Sequence, residues 1–290
     1  MSVAEKTVPA AAVEAPIRDD RITMIRPSTR MPRLDVRELW RYRELAGAFV
    51  WRDIKVRYKQ TFIGVAWAVL QPLITTVIFT LIFGRYGNFP TDVPYPVHVL
   101  SGVMIWTYFA SSLNGATSSI PLARPLVTKI YFPRVLLPLG AIITPFVDFL
   151  IALPVLVAMI FWFNLTVGIE VLLTPLFLLL AVVTAFGAGL LFTVASVRYR
   201  DVPYALPFVI QIWFFLSPVI YQVSFFPQRY QWILSFNPMT AAITGFRWAL
   251  FADTPPSASV VVIGTAAAIG FLITGLGVFR RAEPQFADKI

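Results

Sequence analysis

Residues 135–163 read VLLPLGAIITPFVDFLIALPVLVAMIFWF, and Asp148 is the only charged side chain in this run. About 20 apolar residues suffice for a helix to cross the hydrocarbon core of a bilayer. Because lipid offers no water to backbone N–H and C=O groups, such a run must be helical when it is embedded. Five further runs are similar, so the sequence predicts an all-α integral membrane protein with six transmembrane helices. The predicted spans are Phe62–Phe83, Val97–Ile120, Val135–Phe163, Val171–Val197, Val202–Phe226 and Val260–Phe279.

The basic side chains are divided unequally among the segments that connect these spans. Of the 24 Lys and Arg residues, all but Arg85, Arg229 and Arg247 lie in the N-terminal segment, in alternate connections or in the C-terminal tail. Cytoplasmic loops carry such an excess of positive charge. We therefore expect both termini to be cytoplasmic. The net charge of +9 indicates contact with anionic membrane lipids and not with nucleic acid, because the basic residues flank the spans.

The segment before the first span divides into two parts. Residues 1–32 contain four prolines and show no apolar period, which predicts a disordered cytoplasmic tail. Residues 35–59 carry polar side chains at steps of three and four, which predicts an amphipathic helix in the membrane interface. A soluble helix packed on another subunit is the alternative. The membrane domain itself is expected to extend over residues 33–290.

The cytoplasmic segment PLARPLVTKIYFPR, residues 121–134, mixes charged and apolar side chains between prolines. A connection that only reverses the chain has no need of so many apolar residues. We expect the segment to expose Leu126, Val127, Ile130, Tyr131 and Phe132, and exposed apolar groups among charges favour a docking surface. A lipid-facing interfacial helix is the alternative.

The outer segment Phe225–Thr254 is rich in aromatic residues and is interrupted by Asn237-Pro238. Irregular backbone at membrane depth survives only where protein or a wet cavity shields it. We therefore expect two short re-entrant helices that dip into the outer leaflet around this dipeptide. A plain external loop is the alternative.

Several classes of activity are excluded by missing residues. The chain has no cysteine and one histidine, His98, which excludes thiol chemistry and a histidine-based metal site within one chain. No G-x-x-x-x-G-K-[ST] phosphate loop is present, so the chain cannot hydrolyse ATP by that route. Asp148 is the one intramembrane carboxylate, and both structural packing and a role in a translocation path are open to it. We expect no catalytic site, no metal and no cofactor in this chain.

Several blocks of the sequence resemble the permease subunits of type-2 ABC transporters that export polysaccharides. The blocks include WRDIKVRYKQTFIGVAWAVLQPLITTVIFTLIFGR (Trp51–Arg85), LVTKIYFPRVLLPL (Leu126–Leu139) and NPMTAAITGFRWAL (Asn237–Leu250). They occur in the expected order from about residue 35 to the C terminus. The resemblance implies the channel-forming subunit of an ATP-driven exporter of O-antigen or a related lipid-linked glycan. It also implies a location in the plasma (inner) membrane of a bacterium.

The resemblance implies partners as well. A second copy of the chain would form a homodimer, and two separate ATPase subunits would bind ATP and Mg²⁺ at the cytoplasmic face. The segment between the second and third spans would dock on the ATPase. The residues expected to couple to the ATPase are Arg124, Thr128, Lys129, Ile130, Phe132 and Arg134.

The remaining site residues follow from the same resemblance and from side-chain chemistry. Arginine and lysine bind phosphate, so the lipid diphosphate is expected at Arg52, Lys55, Arg57 and Lys59. Asn237 and Pro238 are expected at the outer gate. On a helical wheel Phe214 and Tyr221 share a face, which suits rings that stack on sugars. The predicted path residues are Trp67, Gln71, Gln211, Phe214 and Tyr221.

Three further functions remain open at this stage, of which an intramembrane enzyme such as a glycosyltransferase is disfavoured by the sparse intramembrane carboxylates and the missing metal motifs. A drug- or lipid-exporting type-2 permease would share the same architecture. An ion-coupled carrier is a second alternative, although carriers use more than one buried ionisable group and Asp148 stands alone in the spans.

Overall fold

The computed structural model describes residues 40–59, 64–84, 91–252 and 254–286, and within these ranges the chain is helical and contains no strand. The predicted tail, residues 1–32, lies outside the described residues. The helices are α1 Arg43–Lys59, α2 Ala66–Phe79, α3 Tyr95–Leu122, α4 Arg124–Lys129, α5 Leu136–Trp162, α6 Thr174–Arg198, α7 Val202–Phe215, α8 Gln228–Ser235, α9 Pro238–Phe251 and α10 Ala258–Ala282.

Four helices in the described ranges are long and apolar enough to cross a membrane. They are Ala66–Gly84, Leu136–Trp162, Ile169–Arg198 and Ala258–Gln285, where three include short 3-10 or π-helical extensions. The second predicted span is the 28-residue helix α3, which is less apolar than these four. The fifth is the 14-residue helix α7, which is shorter than a full crossing. Six spans therefore stay a prediction.

Helix α7 ends at Phe215 and does not continue to Phe226, where the predicted fifth span ends. Pro218 has no backbone N–H, and its ring disfavours a helical conformation at the residue before it. From Leu216 onward the chain turns back towards α3, and the next regular element is a 3-10 turn at Val223–Phe225.

Helix α3 lies at the centre of the described fold and contacts α2, α5, α6, α7 and α9. Its side chains are buried without interruption from Val97 to Trp106. Most of the short helix α9 is buried as well, against α6 and α10. By contrast, α2 buries only Pro72 and Thr76, so most of its surface has no cover from the described part of the chain.

The contact between α6 and α10 is close enough to require glycine. A Cβ atom added at Gly187 would collide with the backbone of Phe271 and Leu272, and one added at Gly275 would collide with the carbonyl oxygen of Gly187. Small residues allow helices to approach closely in membranes, where packing drives association. These two glycines therefore fix α6 and α10 against each other.

Candidate functional site

Asp148 connects α5 to the helix that precedes the first span. Its Oδ2 lies 2.6 Å from Nη2 of Arg57, and Tyr58 donates a hydrogen bond to Oδ1. Burial raises the pKa of the Tyr58 phenol, and this hydrogen bond raises it further. Tyr58 therefore stays a proton donor at neutral pH. Structural packing and a role in a translocation path were both left open for Asp148. These contacts support structural packing, in which Asp148 attaches a neighbouring helix.

The same helix pair is in contact nearer its start. A Cβ atom added at Gly140 would lie 3.7 Å from side-chain atoms of Phe49 and Val50. Since Gly140 lies beside Phe49 and Asp148 lies beside Arg57, α1 and α5 run side by side in the same direction. Asp148 is the thirteenth of the 27 residues of α5, so the C-terminal end of α1 is level with the middle of that helix.

The four residues predicted to bind a lipid diphosphate have different surroundings. Arg57 is bound to Asp148, and Arg52 forms an ion pair of 2.8 Å with Asp53. Lys55 and Lys59 are exposed. Within the described structure, a ligand could therefore bind the two lysines without first breaking an ion pair, whereas each arginine would have to leave its aspartate.

The predicted docking segment divides into a buried and an exposed part. Val127 and Phe132 are 3% and 4% exposed, so the expectation that they are on the surface is wrong. The ring of Phe132 lies 5.6 Å from that of Phe49 and belongs to a core formed with α1, α5 and the C-terminal segment. Ile130 and Tyr131 are 56% and 73% exposed. Short amphipathic segments bury one face, and only the tertiary contacts decide which residues that face contains.

The charged members of this segment divide in the same way. Arg124, Thr128 and Lys129 are exposed, and the Thr128 hydroxyl donates to the carbonyl oxygen of Arg124 at 3.0 Å. Arg134 is occupied within the chain. Its backbone N–H donates to Oε1 of Glu283 at 2.9 Å, and its guanidinium donates to the Glu283 carbonyl oxygen. Arg134 thus fastens the C-terminal segment to the start of α5.

The predicted path residues are not all brought together. Trp67 and Gln71 on α2 and Gln211 on α7 are exposed. Phe214 is half-buried, and its ring lies 5.8 Å from Phe79 and 5.5 Å from Trp106.

Tyr221 does not share a helical face with Phe214, as the wheel predicted, because α7 ends before Tyr221. It is 8% exposed, and its hydroxyl donates to the carbonyl oxygen of Phe215 at 3.0 Å. The helical wheel therefore does not apply to this pair, and Tyr221 supports the chain where it leaves α7.

Asn237 joins the end of α7 to the start of α9. Its side-chain carbonyl accepts hydrogen bonds from Nε1 of Trp213 at 2.9 Å and from the backbone N–H of Met239 at 3.0 Å. Its amide donates to the Ser217 hydroxyl at 2.8 Å. Pro238 is the first residue of α9, a position whose backbone N–H would have no hydrogen-bond acceptor within the helix, so proline is tolerated there. The two short helices expected around this dipeptide are α8 and α9.

Arg247 is a further residue of this part of the chain, and the sequence marked it only as one of the three basic residues that lie outside the positively charged segments. Its side chain is 3% exposed, and its guanidinium donates to the carbonyl oxygens of Pro218 and Val219 at 2.6 Å and of His98 at 2.8 Å. A Cβ atom at Gly102 would collide with this guanidinium. Arg247 therefore holds α9, the start of α3 and the chain after α7 together. The sequence feature that could have identified this residue is an arginine inside an otherwise apolar helix.

The described residues offer no metal site, because nowhere among them do three His, Asp or Glu side chains come together. What the arrangement offers is mechanical. The exposed side chains of Arg124 and of residues 128–131 are joined through Phe132 and Phe49 to α1, and α1 is joined through Arg57 to α5. A displacement of this exposed surface can thus reach the long apolar helices.

Comparison with known proteins gives the family. Residues 44–251 match the family model described as ABC-2 type transporter. The chain is 26% identical to the O-antigen export system permease protein RfbA of Myxococcus xanthus over 259 residues, which cover 88% of this chain and 98% of that protein. It is 28% identical to the protein of that name in Klebsiella pneumoniae over 82% of this chain and 91% of that protein. The polysialic acid transport protein KpsM of Escherichia coli is 26% identical over 66% of this chain and 75% of that protein. The chain belongs to the ABC-2 type transporter family.

Proposed function

We propose that this chain is the transmembrane subunit of an ATP-driven exporter that moves a lipid-linked polysaccharide, of the O-antigen kind, out of the cytoplasm. One observation carries the proposal. The relatives whose alignments cover 88% and 82% of this chain are named as O-antigen export permeases. The chain would reside in the inner membrane of a bacterium, with both termini in the cytoplasm.

The proposal includes six spans and a homodimer. The helices α3 and α7 would complete the set of spans, and α8 and α9 would be re-entrant on the outer side. A polymer needs a continuous conduit, and six helices are few for one. Helix α2 leaves most of its surface exposed, and α7 buries only Leu206 and Ile210. These exposed surfaces would be covered by a second copy of the chain. The exposed residues Trp67, Gln71 and Gln211 would then line the conduit, with Phe214 at its edge.

Two copies of a separate ATPase subunit would supply the energy, and they would bind ATP and Mg²⁺. Their docking surface on this chain would consist of Arg124, Thr128, Lys129, Ile130 and Tyr131, all of which are exposed. Phe132 and Arg134, which the sequence grouped with them, would transmit the movement, because they contact α1 and the C-terminal segment.

The basic end of α1 would receive the head group of the lipid carrier. Lys55 and Lys59 lie on the part of α1 that is level with the middle of α5. A charge at that depth is costly in lipid and favourable beside water or a phosphate. We therefore place this side of α1 on the aqueous path, where the diphosphate passes the two lysines. Arg52 would join them when its ion pair with Asp53 opens.

A transport assay tests the function. The chain is expressed with its ATPase partner in a strain that synthesises O-antigen but has lost its own exporter, and surface O-antigen is measured with an impermeant antibody. Surface display that depends on both subunits is expected. If the pair restores no lipid-linked glycan of any composition, yet exports a drug or a phospholipid in proteoliposomes, the proposed substrate class is wrong.

A further inference from the structure

An apolar groove of about 510 Å³ lies between the start of α1 and the start of α5. Trp40, Gly47 and Trp51 form one side of the groove, and Leu136, Leu139 and Ile143 form the other. Trp40 and Trp51 are 69% and 62% exposed. The groove is open at the centre because Gly47 has no side chain, and a Cβ atom added there would meet nothing within 4 Å.

The surroundings of the groove are those of the inner leaflet. Leu136, Leu139 and Ile143 belong to the first two turns of a candidate membrane-spanning helix. Exposed tryptophan is enriched where acyl chains meet head groups. An open apolar groove at that level offers the contacts that a hydrocarbon chain makes, and α1 runs in the same direction as α5, along the path of such a chain.

Charge distinguishes the kind of lipid. Arg43 is the charged residue that lines the groove, and its guanidinium lies 5.2 Å from the Trp40 ring at the end where α1 begins. Arg52 lies farther along α1 and is paired with Asp53. Among the described residues that line the groove, Arg43 supplies the one guanidinium, which matches a single phosphodiester charge, as in a phospholipid, better than the larger charge of a diphosphate.

We propose that this groove is a binding site for one anionic phospholipid of the inner leaflet. Its phosphate lies at Arg43, and an acyl chain lies over Gly47 between the two helices. The lipid fills the space that the protein leaves open and holds the start of α1 against α5. This site is separate from the predicted diphosphate residues, and it does not depend on which substrate is exported.

Native mass spectrometry of the full-length chain in detergent tests the proposal, with phosphatidylglycerol and phosphatidylcholine titrated separately. Gly47→Leu places a side chain in the groove, where a Cβ atom meets nothing within 4 Å, and should weaken retention of the most tightly bound phosphatidylglycerol at least tenfold. Gly277→Leu is the matched control, since a Cβ atom there also meets nothing within 4 Å. It should retain the lipid as the unmodified chain does. Arg43→Gln should remove the preference for phosphatidylglycerol over phosphatidylcholine.

Three results would overturn the proposal. One is equal lipid retention by the Gly47→Leu and Gly277→Leu variants. Another is the displacement of phosphatidylglycerol by a polyprenyl diphosphate that is present at a lower concentration than phosphatidylglycerol, which would make the groove a substrate site. The third is a loss of dimer in Gly47→Leu with no change in lipid retention, which would assign the groove to a second copy of the chain.

Discussion

Nη2 of Arg57 lies 2.6 Å from Oδ2 of Asp148, although the two residues are 91 positions apart in the chain. Asp148 is the one carboxylate of the predicted spans, and this contact attaches it to the helix that precedes the first of them. The arginine side chain is 42% exposed and the aspartate 14%, so solvent partly screens the pair. The contact joins α1 to the middle of α5.

The first prediction concerns this ion pair. The double variant Arg57→Ala, Asp148→Ala should lose about 1 kcal/mol less free energy of unfolding than the sum of the two single variants. This value is already reduced for the exposure of the arginine. The midpoint of thermal unfolding in detergent micelles measures the effect. Arg52→Ala, combined with Asp148→Ala, is the control and should be additive because Arg52 pairs with Asp53. Equal behaviour of the two arginines would argue against the attachment.

A second prediction separates docking from folding within one segment. Phe132→Ala should lower the free energy of unfolding by about 3 kcal/mol, because the ring is buried. Ile130→Ala should change it by less than about 0.5 kcal/mol, because that side chain is exposed. Co-purification with the ATPase should nevertheless weaken in Ile130→Ala. A stable Ile130→Ala variant that binds the ATPase and exports polymer normally would refute the docking assignment.

The third prediction concerns Arg247, the buried arginine of α9. Arg247→Met should lower the free energy of unfolding by at least about 2 kcal/mol, because it removes the donors for three backbone carbonyl groups. Arg229→Met is the matched control, because Arg229 is an exposed arginine in the neighbouring helix α8. Thermal unfolding of the two variants provides the comparison. Similar midpoints would mean that Arg247 does not hold the outer segments together.

A fourth prediction concerns orientation. The chain has no native cysteine, so single cysteines can be introduced directly. In intact cells an impermeant maleimide should label a cysteine at Thr91 and should not label one at Arg200, because the positive charge lies on the cytoplasmic side. Permeabilised cells should allow both to react. Labelling at position 200 from outside would reverse the proposed topology.

The helices were predictable because their lengths and apolar runs are local properties. Helices α2, α3, α5, α6 and α10 occur where the sequence placed them. Which face each one buries depends on residues far away in the chain. The burial of Phe132 requires Phe49, and the placement of Asp148 requires Arg57, so neither follows from a local pattern. The end of α7 at Phe215 was missed because Pro218 sits inside an apolar run, and prolines within such runs often leave a helix intact.

The glycine contact between α6 and α10 restricts how the molecule can work. Gly187 and Gly275 bring two backbones together, and no side chain remains between them to change rotamer and permit sliding. We therefore expect the two helices to move together in a working cycle. Helix α2 buries only Pro72 and Thr76, and within the described residues it has no comparable glycine contact. We accordingly expect α6 and α10, the last two long helices, to form the fixed frame and α2 to move against it.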